Sequence, residues 1–357
     1  MHEMKKIIIV LNFFLLAITF AQTYKGTFRE IYFYREVSTA AEATGKTYLF
    51  KNKDAFSSLY NPSLPSINSN INLSYTNSEK LFEVENANYH SAAINTPFEN
   101  IWIISASLRL FNAIDEIDDP TIEMPYGVES FNRNPGLIYN INIAREFIRD
   151  FHTGVGINYL NYEFYSEKHD FFSLNFGFSY LHTFIISEIL GHKVFAGAAI
   201  NNLLTYSNNN VSRHIVLKGY STGPANKIYL PQISRFTLGY STDYKGIKVI
   251  KNTNDISACI QLEYFRVLNS NSYKRYCIGT EIRLLEIISS RIGFYSYENP
   301  RYITEEFTYG LGLSIPLHLF TAIPLFIGID YTELGPDSGI CNFPDFNSFT
   351  INLNYKM

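Results

Sequence analysis

Charge is scarce in this sequence, and so are sulfur and tryptophan. Charged residues make up 17% of the 357, where soluble globular domains carry about a quarter. The net charge of -4 comes from 29 basic and 33 acidic residues, so nothing suggests a nucleic-acid partner. Three cysteines, Cys259, Cys277 and Cys341, are too few and odd in number for a disulfide framework. Cys259 and Cys277 are expected as two free, small side chains on neighbouring strands. After the first twenty residues no apolar stretch approaches 18 residues, and mean hydropathy is only -0.05, which excludes a bundle of membrane helices. No repeat of 20–50 residues appears, so a propeller or solenoid is not expected. No H-E-x-x-H or Walker A motif occurs, and the eight histidines are scattered. Gly219-Tyr220-Ser221-Thr222-Gly223 matches G-x-S-x-G, but it lies in a polar stretch before Pro224. A nucleophile elbow needs a strand before it and a helix after it. The acidic run Asp115-Glu116-Ile117-Asp118-Asp119, with Glu123, lacks the spacing and central glycine of a calcium loop and reads as solvated. Neither an enzyme nor a cofactor is expected.

Aromatic residues are abundant: 27 Tyr and 29 Phe against a single Trp. Low charge, many aromatics and middling hydropathy suit strands that show alternate residues to lipid and to water. The first segment points to export. Lys5 and Lys6 precede an apolar run from Ile7 to Phe20, and Ala21 supplies the small residue for cleavage before Gln22. Residues 1–21 are therefore read as a signal peptide.

From about residue 70 the hydrophobic pattern has period two. Phe349, Ile351, Leu353, Tyr355 and Met357 alternate with Ser348, Thr350, Asn352, Asn354 and Lys356; Phe307, Tyr309, Leu311 and Leu313 alternate with Thr308, Gly310, Gly312 and Ser314. Such alternation needs one apolar and one polar environment on the two faces of a sheet. Most of these runs last about 9–13 residues, longer than the 5–6 usual in soluble sheets. About fourteen of them fit between residues 69 and 357. The three long connections, Asn112–Asn134, Ser207–Tyr229 and Glu333–Phe346, all follow odd-numbered strands and so leave the same side. Long loops on one side and mostly short turns on the other is the asymmetry of an outer-membrane barrel. The expected fold is all-β, a transmembrane antiparallel barrel of about 14 strands in the cell outer membrane, with outer-membrane lipid around it.

Residues 22–68 do not read as strand. Val37–Thr44 is Ala-rich and suits a short helix, and Asp54–Tyr60 suits a second, with Asp54 as its cap. Pro62 then stops it. The aromatic cluster Phe28, Tyr32, Phe33 and Tyr34 has no use in a solvated tail, so the segment is expected to fold into the barrel as a plug. Asp54, Asn61 and Pro62 form its hinge motif, placed before the first strand. In Tyr276–Leu284, Ile278, Ile282 and Leu284 alternate with Gly279, Glu281 and Arg283. If the apolar set faces lipid, Glu281 faces the lumen. Arg291 on the next strand must do the same, because a charge at mid-membrane costs about 2–4 kcal/mol. Glu281 and Arg291 are therefore expected as a lumenal charge pair; no residues are expected to be catalytic or to bind metal.

Several pieces resemble a known family. Asp54-Ala55-Phe56-Ser57-Ser58-Leu59-Tyr60-Asn61-Pro62-Ser63-Leu64 resembles the segment before the first strand of FadL-like barrels, closest to the PorV/PorQ family of Bacteroidetes-type exported proteins. Gly197-Ala198-Ala199-Ile200-Asn201-Asn202-Leu203 is similar to a strand end of that family, as is the pair Gly279-Thr280-Glu281-Ile282 and Ser290-Arg291-Ile292-Gly293-Phe294-Tyr295 to one of its hairpins. The sequence departs at Ala41–Lys46, where the family has a glycine-rich stretch, and at Ser63, where it has Ala. The resemblance implies a fourteen-stranded barrel that takes part in type IX secretion-like protein export or surface attachment through its outer loops. Exported proteins or components of the secretion machinery would then be its partners. The alternative it leaves open is a FadL-like channel for hydrophobic small molecules.

Overall fold

A computed structural model of the chain describes residues 36–68, 70–81, 84–99, 101–113, 136–164, 167–207, 232–246, 254–268, 274–299, 302–317, 323–334 and 346–355. The signal segment, the Phe28–Tyr34 cluster, the G-x-S-x-G and acidic stretches and Cys341 lie outside the described residues.

Fourteen antiparallel strands run in chain order around a closed barrel. They are β1 Ile71–Leu81, β2 Val84–Phe98, β3 Trp102–Ala113, β4 Gly136–Ile148, β5 Phe151–Phe164, β6 Glu167–Ser187 and β7 Leu190–Ser207, followed by β8 Ile233–Tyr244, β9 Ile256–Val267, β10 Lys274–Leu284, β11 Ile288–Asn299, β12 Tyr302–Pro316, β13 Leu325–Leu334 and β14 Phe346–Tyr355. Each strand pairs with its sequence neighbours, and β1 pairs with β14 from Ile71↔Tyr355 to Ser78↔Ser348. Closure leaves the sheet no free edge, which a backbone in hydrocarbon requires.

The two-residue period sorts the side chains. On β14, Ser348, Thr350, Asn352 and Asn354 are buried, while Phe349, Ile351 and Tyr355 are exposed on the outer wall. On β12, Phe307, Tyr309, Leu311 and Leu313 point outward and Thr308 inward. The outer wall is thus an apolar belt, with Leu238 62% and Ile292 57% exposed. Exposure of that much aliphatic surface is stable against lipid and not against water. The protein is an outer-membrane β-barrel.

Two short helices, α1 Thr39–Ala43 and α2 Ser57–Tyr60, and a 3-10 turn, Leu64–Ile67, lie inside the barrel. Both helices are shorter than the sequence reading: Ser38, Thr44 and Asp54 at their ends bond within the segment instead of continuing a helix. Ser38 caps α1 through its side chain, and Phe56, not Asp54, occupies the N-cap position of α2. Val37, Ala41, Tyr48, Leu49, Phe50, Ala55, Phe56, Tyr60 and Leu64 of this lumenal segment form one apolar core with Tyr89, Ala93, Ile138, Leu160, Phe171 and Phe195 of the wall. Tyr48 stacks on Tyr60 at 4.4 Å and Phe50 on Phe195 at 4.9 Å. The segment's first described residue, Glu36, meets Arg235 and Arg275 near the long-connection ends of β8 and β10. The chain therefore extends deep into the lumen and does not simply lie beneath it.

Candidate functional site

The lumenal segment is seated in two glycine sockets. On β5, β6 and β7, Gly154, Gly177 and Gly197 face inward under Asn61-Pro62. A Cβ at Gly154 would lie 1.9 Å from Pro62 O, and one at Gly177 would lie 2.0 Å from Asn61 Oδ1. On β10, β11 and β12, Gly279, Gly293 and Gly310 make room for Ala43-Thr44-Gly45, and a Cβ at Gly293 would lie 1.9 Å from Gly45 N. Gly45 itself has φ +67°, which a side chain would strain. These approaches put main chain against main chain, closer than any side chain allows.

Asn61 is the most connected residue of the first socket. Its Nδ2 donates to Phe178 O at 3.2 Å and Ala198 O at 3.4 Å, reaching the seam between β6 and β7. Its Oδ1 accepts from Ser63 N at 3.0 Å and Ser63 Oγ at 2.8 Å. Pro62 O accepts from Asn142 Nδ2 at 2.9 Å, and Ser63 Oγ lies 2.9 Å from Ser179 Oγ. The 3-10 turn separates this corner from β1, so Asn61 and Pro62 sit on the wall of β4–β7 and not at the junction with the first strand. Asp54 ties the segment to itself. Its carboxylate accepts from Ser38 Oγ at 2.5 Å, Tyr48 Oη at 2.8 Å and Phe56 N at 3.0 Å. Burial pushes its carboxyl up to about 6, against the opposing pull of those hydrogen bonds.

Glu281 and Arg291 are register partners on β10 and β11, and Arg291 Nε donates to Glu281 Oε2 at 2.7 Å. They belong to a longer ladder. Arg283 Nη2 donates to Glu281 Oε1 at 2.7 Å, Arg291 Nη1 to Asp330 Oδ1 at 2.5 Å, and Asn352 Nδ2 to Asp330 Oδ2 at 2.7 Å. Gly312 leaves space for it, since a Cβ there would lie 2.3 Å from Asp330 Oδ1. Every charge in the ladder is answered, as burial demands.

A second cluster was not found by sequence reasoning. Arg275 Nη2 donates to Glu36 Oε1 at 2.6 Å and Arg235 Nη1 to Glu263 Oε1 at 2.6 Å; Arg235–Glu36 is 3.7 Å and Arg275–Glu263 is 3.8 Å. Both guanidinium groups lie against the Phe265 ring, 4.9 and 4.6 Å from its centre. Two arginines and two glutamates balance, and Glu36 is the one contributed by the lumenal segment. The inward parity of Arg235, Glu263 and Arg275 could have been read from their strands; their convergence on Glu36 could not. Further stitches join Gln261 to the backbone of Tyr48 and Phe50, Lys51 to Asp243, Lys53 to Glu286 at 2.9 Å and Ala55 N to Ser74 Oγ at 2.8 Å.

Inside the barrel, cavities of about 40 and 50 Å³ flank the segment, lined mainly by polar side chains. A larger space, about 710 Å³, lies on the lipid-facing side. Its floor is Ala196 and Ala198 of β7, and its walls are Phe178 and Tyr180 of β6 and Phe236 and Leu238 of β8. These are register neighbours: Phe178↔Ala198↔Phe236 and Tyr180↔Ala196↔Leu238. Small residues between large ones cut the furrow. Asn61 lies behind it, on the carbonyls of Phe178 and Ala198. Among the described residues no cluster of His, Cys, Asp or Glu could hold a metal ion, and Cys259 and Cys277 are free.

No protein-family model matches the sequence, and no curated protein does. Solved structures of transporters and a porin align with the chain. The Pseudomonas putida toluene transporter TodX aligns over 89% of this chain and 97% of its own, with TM-score 0.44 and 10% identity. The Ralstonia pickettii toluene transporter TbuX covers the same shares with TM-score 0.39 and 10% identity. The porin NanC aligns over 80% of this chain and all of its own, with TM-score 0.31 and 12% identity.

Proposed function

We propose that this barrel carries hydrophobic small molecules across the outer membrane, as a FadL-like channel does, with residues 22–68 as its plug. The furrow carries the reading, not the likeness to hydrocarbon channels. It is a ligand-sized apolar space bounded by described residues, and Asn61 is hydrogen-bonded to the backbone on the opposite face of the same seam. Movement of Asn61-Pro62 out of its glycine socket would remove the Nδ2 bonds to Phe178 O and Ala198 O where the furrow meets the wall. A hydrophobic solute in the lumen would then have a short way to lipid. In this reading Glu281 and Arg291 hold the wall and do not touch the solute.

A second reading, protein export or surface attachment in the PorV/PorQ manner, is supported by a different observation. The lumenal segment is stitched to most strands, and the cavities beside it hold little more than water. A barrel so filled serves well as a rigid stand for its outer loops.

A disulfide between Ser63→Cys and Ser179→Cys, whose hydroxyls are 2.9 Å apart, separates the two. The channel reading expects uptake of a fluorescent naphthylamine by cells to stop on oxidation and to return on reduction. Uptake unchanged by the lock sinks the channel reading. No uptake in either state, with secreted protein still attached to the surface, favours the second.

A further inference from the structure

We propose that the free edge of β6 beyond the barrel rim is a docking strand for an extended segment of a water-soluble partner on the short-turn side. β6 pairs with β5 only as far as Phe151↔Tyr180, yet β6 continues to Ser187. Seven further residues span roughly 20 Å of strand. On its other side this extension is laddered to β7 through Thr183↔Lys193, Phe184↔His192, Ile185↔Gly191 and, past a bulge at Ile186, Ser187↔Leu190. β7 is in turn paired with β8 to Leu190↔Tyr244, and Lys245 N donates to Ile189 O at 2.9 Å. The hairpin is therefore held in extended form, with one edge open among the described residues.

Leu181 N donates to Asp150 O at 2.9 Å, the last backbone bond on that edge among the described residues. By alternation Thr183 and Ile185 present N–H and C=O to the same open side. Asp150 and His182, 2.7 Å apart, mark the root of the edge, and Glu188 marks its tip. Between them, Thr183-Phe184-Ile185-Ile186-Ser187 has no charge and no proline. Soluble edges are normally protected by one or the other. Phe184 is 48% and Ile185 79% exposed, and as consecutive ladder positions they lie on opposite faces of the strand.

Opposite faces decide the occupant. Lipid would cover Phe184, which shares the outward parity of Tyr180, but not Ile185, which shares the inward parity of Ser179. A second copy is excluded by symmetry. Two copies in one membrane share an orientation, so a twofold between them stands along the membrane normal. Antiparallel edge pairing needs a twofold perpendicular to the sheet, which for a barrel wall lies in the membrane plane. An added strand from a soluble partner satisfies the open main chain and places alternate apolar side chains against both Phe184 and Ile185. The proposal holds under either function above.

The test uses the mature full chain in lipid nanodiscs and a synthetic peptide of alternating Thr and Val with Lys at each end. Hydrogen exchange at Thr183 and Ile185 is expected to slow when the peptide is added. It should not slow with a copy N-methylated at every second residue, which cannot pair. Ile185→Pro removes the open N–H without breaking a native bond and is expected to abolish the effect. Ile185→Asp, which keeps the backbone donor, guards against a folding defect in the proline variant and is expected to do the same. No protection by the unmodified peptide, equal protection by its N-methylated copy, or full protection in a folded Ile185→Pro variant would each overturn the proposal. So would slow exchange at both residues in nanodiscs alone.

Discussion

Asn61 divides its amide between the wall, reached by Nδ2, and the turn of its own segment, held by Oδ1. Replacing it with leucine keeps the bulk and removes both bonds to the β6–β7 seam, at a cost of roughly 1–3 kcal/mol for a buried site. Strand pairing lies elsewhere, so the barrel should still fold. The expected outcome is faster hydrogen exchange confined to residues 55–68; unchanged exchange there would remove Asn61 from any latch. The glycine sockets give a sharper case. Gly154→Ala and Gly293→Ala each set a methyl group against main chain of the segment, which cannot move aside as a side-chain tip can. Overpacking of this kind costs about 1–3 kcal/mol, and here the relief is to unseat the segment. In planar bilayers both variants should open to ions more often than the parent protein, while heat-modified mobility on gels stays that of a folded barrel.

At the scale of elements, the segment is fixed at its start by charge and further along by shape. The four-residue cluster of Glu36, Arg235, Glu263 and Arg275 is electrically balanced. Arg275→Met leaves two carboxylates to one guanidinium, and breaking a buried pair costs about 3–5 kcal/mol. The expected result is release of the segment's first turn, seen as protease cleavage before residue 45. Adding Glu36→Gln restores balance, so the double variant should be cleaved less than Arg275→Met alone. Equal cleavage would mean that packing, not charge, holds this end. The ladder of Arg283, Glu281, Arg291 and Asp330 lies within the wall and supports strand registry, so its loss should lower barrel stability without opening the lumen.

For the whole molecule, closure through β1 and β14 is the condition for life in lipid. Deleting Phe346–Met357 leaves β1 and β13 with open edges, and each unpaired backbone group in hydrocarbon costs several kcal/mol. The truncated chain is expected to remain outside the membrane as an unfolded species; normal insertion would show that β14 is dispensable. The sides of the barrel can be checked independently. Cysteines at Asp118, Gly223 and Asp337 fall in connections that follow β3, β7 and β13, and all three should react on intact cells with a reagent that does not cross the membrane.

The sequence alone determined the barrel. Period-two alternation is local and repeats strand after strand, so strand number, lumen-facing residues and even the Glu281–Arg291 opposition follow from it. The inward glycines were equally visible, but nothing in a single strand says what fills the space beside them. Tertiary structure decided how residues 36–68 thread the lumen, because its main-chain approaches join residues far apart in the chain, Pro62 with Gly154 and Gly45 with Gly293. The Glu36 cluster, the furrow on β6–β8 and the open edge of β6 have the same origin. Each depends on how far neighbouring strands are staggered, and stagger is set by closure of the whole barrel, not by any one strand's pattern.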